Sequence, residues 1–351
     1  MVRMRYRPAW GLALRGMSTA AIAAIIATVP GVAVQPAVAA EPEGGLSVPS
    51  SAWAPPAELN RTPAGGAPPG RPWGGEAGVA SVPCDENVAT GILRQYPFER
   101  FPVSDRSELL VNTHNGNVVI TARDLSIRGT GQNLSLSHVY NSKLPGAGAF
   151  GTGWSLNTGP DLGLTFDGGD VVLHGESGYC ARYSATDGGG YTPAPGVPAE
   201  LERLDNGNYE LTFNDDKDVW MFDAQGWLLS QADRNDNVNT VRYTSAGLLA
   251  SITDSQGRVT TVAYDDAGRI TKLTDPTGTT AGSYRYNQAG QLAEYTDRDG
   301  KTTYLQYDAA GNLTLLEDPA HKRTRLLYDG SDRVVEVRIP GRSGTSNTRF
   351  D

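Results

Sequence analysis

The chain has 351 residues, 42 glycines, 22 prolines, only two cysteines and a formal charge of −9. That length allows two or three domains and a sizeable core, so folding requires neither a disulfide framework nor a structural metal. The acidic balance argues against a nucleic-acid or anionic-membrane surface, and abundant Gly, Pro, Thr and Tyr predict an almost all-β protein of short strands and many turns.

Residues 1–40 read as a secretory signal peptide. Arg3, Arg5, Arg7 and Arg15 form a basic head, Met17 to Val34 an apolar stretch, and Ala37 to Ala40 a small-residue exit before Glu41. Pro30, Gly31 and Pro36 interrupt the apolar run below the ~20 residues that a membrane span needs, which disfavours a retained anchor. No adjacent arginine pair marks a twin-arginine signal. Cleavage would remove four arginines and no acid, taking the charge from −9 to −13. Both cysteines, Cys84 and Cys180, lie in the exported part, where oxidising surroundings permit a disulfide; the sequence leaves open whether they pair or are two unrelated thiols.

Residues 41–102 are expected to be a disordered linker. Ten prolines and nine glycines fall between Glu41 and Arg100, and a tract such as Pro63 to Gly70 neither builds a ladder nor propagates a helix. Order is expected from Val103, with strands at 117–121, 134–140 and 169–174 in a β domain covering 103–221.

From Phe222 the sequence is periodic. Phe222, Tyr243, Tyr264, Tyr286, Tyr307, Tyr328 and Phe350 recur at spacings of 21 or 22 residues. Four residues after the aromatic comes a turn glycine (Gly226, Gly247, Gly268, Gly290, Gly311; Asp332 in the last full unit), and two later an aliphatic residue. A second turn follows, as in Asp254 to Gly257 and Asp275 to Gly278. Each unit is predicted to add one hairpin to a ribbon, because Asp-x-x-Gly supplies a side-chain acceptor at the start of a turn and positive φ near its end. The fold class is therefore all-β: an N-terminal β domain followed, over 222–351, by stacked β-hairpins.

These units resemble the Rhs (YD-repeat) family. Tyr264-Asp265-Asp266-Ala267-Gly268-Arg269-Ile270 fits the core Tyr-Asp-x-x-Gly-Arg-Leu/Ile in full, and Tyr307-Asp308-Ala309-Ala310-Gly311-Asn312-Leu313 nearly so. Asn112 to Asn117, Asp124 to Ile127, Val139 to Ser142 and Phe150 to Ser155 are similar to the β domain that introduces the repeats in polymorphic-toxin Rhs proteins. The resemblance marks Tyr243, Gly247, Tyr264, Asp265, Gly268, Tyr286, Gly290, Tyr307, Asp308, Gly311, Tyr328 and Asp329 as structural repeat residues. It implies a ribbon that spirals into a hollow shell around a C-terminal toxin, for contact-dependent competition. The partner would be a downstream core and toxin segment or a partner chain, because the sequence stops at Phe350-Asp351, two residues into another unit. About twelve strands at ~4.8 Å make a wall near 58 Å, whereas a single turn around a ~100-residue cargo needs roughly 140 Å.

Catalytic chemistry is not indicated. His114, His138, His174 and His321 lack metal-ligand spacing, no nucleophile elbow or phosphate loop occurs, and the aspartates recur with the turns. Asp233 to Asn237 slightly resembles a calcium loop but has Val238 and Thr244 where glycine and glutamate belong. No cofactor, metal, nucleic acid or, after signal cleavage, membrane is expected; the runner-up to the shell is a secreted or cell-wall module that binds envelope glycan or a partner protein, the repeated tyrosines being assigned to packing before sugar stacking. The strand through Val334 and Val337 is expected to be an open edge. N-terminal sequencing of secreted material should start at Ala40 or Glu41, and full-length chain held in the membrane fraction would refute the leader.

Overall fold

A computed structural model describes residues 90–144, 146–341 and 344–350. The leader, most of the linker and Cys84 lie outside the described residues. Order starts within the span read as linker: β1 (Phe98–Pro102) pairs along its length with β2 (Ser107–Asn112), and Leu93 and Phe101 are buried. Then come β3 (Val118–Ile127), β4 (Leu134–Asn141), the short hairpin β5 (Ala147–Gly148) and β6 (Gly151–Thr152), and β7 (Trp154–Leu156). β1, β2, β3, β4 and β7 form an antiparallel sheet in that order, here the cap sheet.

A 3-10 turn (Gly159–Asp161) leads into a four-stranded meander of β8 (Gly163–Asp167), β9 (Asp170–His174), β10 (Cys180–Ala185) and β11 (Tyr191–Thr192). The remaining strands form one fifteen-stranded antiparallel sheet in strict sequence order. They are β12 (Ala199–Arg203), β13 (Tyr209–Phe213), β14 (Val219–Phe222), β15 (Leu228–Ala232), β16 (Val238–Tyr243), β17 (Leu249–Thr253), β18 (Val259–Tyr264), β19 (Ile270–Thr274), β20 (Thr280–Tyr286), β21 (Leu292–Asp297), β22 (Thr302–Tyr307), β23 (Leu313–Glu317), β24 (Arg323–Tyr328), β25 (Val334–Gly341) and β26 (Gly344–Arg349). The ribbon thus begins at Ala199, ahead of the first periodic aromatic. The expectation of an open edge at Val334 and Val337 is corrected: β26 pairs with β25 from Glu336↔Arg349 to Gly341↔Gly344, and β26 is the last strand of the sheet among the described residues.

In the five repeats from Phe222 to Tyr307 both turns are built alike. In the Tyr-Asp turn, the Asp265 N–H donates to the Arg269 carbonyl at 2.9 Å and the Gly268 N–H to the Asp265 carbonyl at 3.0 Å. The Asp265 side chain accepts from the N–H groups of Ala267 and Arg269 at 3.1 and 2.9 Å. The second turn repeats this at Asp254, whose side chain accepts from Gln256 and Arg258, both at 2.9 Å. Such a loop is a turn closed by a residue in the left-handed region, the commonest three-residue hairpin connection. Gly268 and Gly290 sit there at φ +74° and +79°, while Asp236, His321 and Asp332 take the equivalent place at +60°, +60° and +55°.

A one-residue slip accompanies the periodic aromatics from Phe222 to Tyr328. The register shifts between Arg242 and Tyr243, between Ala263 and Tyr264, and likewise before Tyr286, Tyr307 and Tyr328. The bulge has a packing consequence. Leu249 and Ile252, Ile270 and Leu273, Leu313 and Leu316, and Val334 and Val337 are all buried although three residues apart. A regular strand would send such a pair to opposite faces, and the extra residue returns both to one face. One continuous apolar core, from Leu93 through Trp154 and Leu249 to Val337, joins cap sheet, meander and ribbon.

Left-handed backbone costs an L-residue about 1–2 kcal/mol, which glycine avoids. Gly290→Val should therefore lose at least about that much stability, and Asp236→Gly should gain roughly 0.5–1 kcal/mol. Denaturant midpoints of the two variants should move in opposite directions.

Candidate functional site

The repeat tyrosines tie neighbouring hairpins together. Each hydroxyl donates to the carbonyl of the aliphatic residue one repeat earlier: Tyr243 to Leu228 at 3.1 Å, Tyr264 to Leu249 at 3.0 Å, Tyr286 to Ile270 at 2.5 Å, Tyr307 to Leu292 at 2.6 Å and Tyr328 to Leu313 at 2.9 Å. Desolvation raises the Tyr264, Tyr286, Tyr307 and Tyr328 hydroxyls above the ordinary phenol value, so they stay protonated donors. The residue after each tyrosine (Thr244, Asp265, Asn287, Asp308 or Asp329) serves the turn by accepting from backbone N–H groups. At Asp329 the backbone N–H and guanidinium of Arg333, with the Ser331 N–H, hold the carboxyl down at about 2. Arg269 bridges both roles, pairing with Asp265 at 2.7 Å while its guanidinium lies 4.3 Å from the centre of the Tyr286 ring.

The ladder is docked onto the cap between Ile270 and Val334, along a seam that carries several polar contacts. The backbone N–H of the aliphatic residue that opens a repeat strand is met from the cap at three units. Ile270 donates to the Ala149 carbonyl at 2.9 Å, Leu313 to the Tyr140 hydroxyl at 3.1 Å and Val334 to the Gly116 carbonyl at 3.2 Å. Trp154, fully buried, donates its indole N–H to the Tyr307 hydroxyl at 2.8 Å, and burial raises the Tyr140 hydroxyl to about 12. Close approach demands glycine at Gly151: its φ is +87°, and a Cβ there would sit 2.4 Å from the Gly290 carbonyl oxygen.

At the centre of the seam lies a buried acid–histidine pair. Asp124 occupies a bulge between Arg123 and Leu125, and its carboxylate accepts from the His138 backbone N–H and faces the His138 Nδ1, each at 2.9 Å. The imidazole packs against Phe150, Trp154, Tyr284 and Tyr295, with ring centroids 4.3–5.6 Å away. The nearby Ser107 hydroxyl pairs with Tyr295 at 3.3 Å, not with His138, so serine, histidine and aspartate do not line up as a nucleophilic relay. Sequence inspection left His138 among scattered histidines; only the adjacency of β3 and β4 brings Asp124 to it.

The other predicted residues fall as follows. Gly247, Gly268, Gly290 and Gly311 lie at the left-handed turn position, and Asp265, Asp308 and Asp329 each receive two turn N–H bonds. Cys180 is disulfide-bonded on β10, and Cys84 lies outside the described residues. The outward face of the ribbon carries hydroxyl rows, Thr261–Thr274–Thr280 and the pair Thr296–Thr302 whose hydroxyls are 2.8 Å apart, with Val259 and Tyr304 43% and 44% exposed. A cavity of about 340 Å³ lined by Arg94, Glu176, Tyr179, Asp215, Asp218 and Trp220 lies beside the β13–β14 hairpin.

Comparison with known proteins gives two family matches: "RHS Repeat" over residues 243–280, 286–321 and 307–343, and "Domain of unknown function (DUF6531)" over 110–183. The chain is 32% identical over 127 residues to the tRNA nuclease WapA of Bacillus subtilis (strain 168), covering 36% of this chain and 5% of the relative. The tRNA3(Ser)-specific nuclease WapA of Bacillus spizizenii is likewise 32% identical over 127 residues, with the same 36% and 5% coverage. The chain therefore spans about 5% of the curated relatives it matches. Among solved structures, it is similar to the Photorhabdus luminescens Tc holotoxin pore (TM-score 0.28, 13% identity, 69% of this chain and 15% of that one) and to TcdB2-TccC3 (TM-score 0.25, 11% identity, 73% and 16%). The aromatic-glycine-aliphatic period, the hairpin ribbon and the repeat matches agree that residues 243–343 carry Rhs/YD repeats.

Proposed function

We propose that this chain is the non-catalytic entry segment of a secreted Rhs-type shell, in which the cap sheet closes one end of the wall and the ribbon begins to enclose or deliver a C-terminal toxin. The observation that carries the reading is the seam itself. Three repeats have their strand-opening N–H groups capped from outside the ribbon, as the first turns of a growing wall require and a freely extended ribbon would not. Fifteen strands at ~4.8 Å span about 72 Å, still short of the roughly 140 Å needed to encircle a small domain, so a continuation or partner chain supplies the rest. The nuclease names belong to relatives of which this chain spans about 5%, and we assign the aligned part to scaffold, not to catalysis. Export places the protein outside the cell or on the wall, with a disulfide between Cys84 and Cys180 as the proposed tie between the 41–102 segment and the meander.

A second reading is favoured by the outward face. Rows of threonine hydroxyls beside exposed Tyr304 suit binding of wall glycan or a partner protein. The two readings separate in solution. Residues 41–351 should associate with rising concentration in light scattering, through the unpaired side of β26, and show no nuclease, protease or glycosidase turnover. A strictly monomeric protein that co-sediments with purified cell walls would replace the shell by the binding module. Turnover lost on mutating a single Asp or His would overturn the non-enzymatic assignment.

A further inference from the structure

Asp161 is an ionisable group that neither the turns nor the tyrosine ladder uses. It closes the 3-10 turn and is 2% exposed. Its Oδ2 accepts from the N–H of Ala149 at 2.9 Å and from the N–H of Leu156 at 2.6 Å, and its Oδ1 has only a 3.2 Å contact with the Ala149 N–H. Ala149 passes this contact on, since its carbonyl is the acceptor for the Ile270 N–H of the ribbon. Phe150, the next residue, is wholly buried in the core. One carboxyl therefore positions the segment that docks the cap onto a repeat.

No cation compensates this carboxyl: among the described residues Asp161 forms no ion pair. The titratable groups facing it from the ribbon are the hydroxyls of Tyr264 on β18 and Tyr286 on β20. The guanidinium acting on Tyr286, that of Arg269, is committed to Asp265 and to the Tyr286 ring. From β7 and the β5–β6 hairpin Asp161 receives only the backbone N–H groups of Leu156 and Ala149.

We propose that Asp161 is a proton-operated latch between the cap and the repeat ribbon: protonated, it keeps the 146–161 segment docked through Ala149 and Ile270; ionised, it lets that segment loosen. The loosely held Oδ1 is the oxygen that takes the proton. Desolvation raises the carboxyl from 3.8 to about 7, against the opposing pull of the Leu156 and Ala149 N–H bonds. For a group raised on folding, the stabilisation is full below the unfolded value near 3.8 and is lost as pH rises through about 7. The latch is closed in acid and released at neutral to alkaline pH.

Hydrogen exchange on the full chain tests this. After correction for intrinsic rates, protection of the Ile270 amide should fall by up to about tenfold per pH unit between pH 5 and 7 and level off above, while Leu326, on β24, should not follow. Asp161→Asn, which keeps the shape and an acceptor oxygen, should make Ile270 protection flat across this range. Flat protection in the wild type, or an unchanged slope in the variant, would overturn the latch. Should Asp161→Asn fail to fold, isotope-edited infrared of the wild type decides. A protonated Asp161 carbonyl band must be present at pH 6 and gone by pH 8.5, and its absence at pH 6 refutes the proposal.

Discussion

The one-residue slip between each periodic tyrosine and the aliphatic residue opposite it is the constraint on which the ribbon rests. Tyr264 pairs with Ile270, and the shift of register beside them sends Ile270 and Leu273 to the same buried side. Without the slip, strand alternation would expose one of the two, at a cost of about 1.5–3 kcal/mol for each large aliphatic lost from the core. The slip also brings the strand-end tyrosine onto the core, from which its hydroxyl reaches the preceding repeat. Hydrogen bonds of this kind contribute about 0.5–1.5 kcal/mol each, and five of them run along the ribbon. Turn chemistry, burial and lateral stitching are thus a single solution repeated every 21 or 22 residues.

The cap sheet answers a problem that the repeat itself creates. A bulge leaves a backbone donor outside the ladder, and a donor buried without a partner costs about 1–3 kcal/mol. Ala149, Tyr140 and Gly116 supply acceptors for Ile270, Leu313 and Val334, and Trp154 adds a donor for Tyr307. These acceptors come from different segments of the cap, so their spacing must match the pitch of the ribbon. That match fixes which repeats the cap can sit on.

Two acidic groups at the seam have different partners. Asp124 meets three contacts at 2.9 Å from one residue, His138, inside an aromatic box. Asp161 has backbone N–H donors only, so burial dominates and the proton is retained toward neutrality. A turn carboxylate does the reverse: Asp329, half-buried and bound by Arg333, stays ionised down to about 2. Environment, not residue type, assigns the charge.

Much of the ribbon was legible in the sequence because its determinants are local. The aromatic period, the Asp-x-x-Gly turns and the β-branched segments between them specify hairpins without long-range help, and the hairpins follow one another in sequence order. The first strand was hidden because Phe98 to Pro102 sits at the end of a Pro/Gly tract and becomes a strand only by pairing with β2. The last was hidden because Gly344 to Arg349 has no apolar alternation and is held by β25. The segments that build the cap side of the seam stood out in the sequence, but their partners across it did not: Asp161 and Ile270 are 109 positions apart, and Trp154 and Tyr307 are 153 apart. The sequence by itself determined the repeat, its turns and its all-β character, since those depend on residues within a few positions of one another. Only the tertiary structure decided which repeats the cap engages and which carboxyl keeps its proton, because both depend on distant chain segments removing water from the same groups.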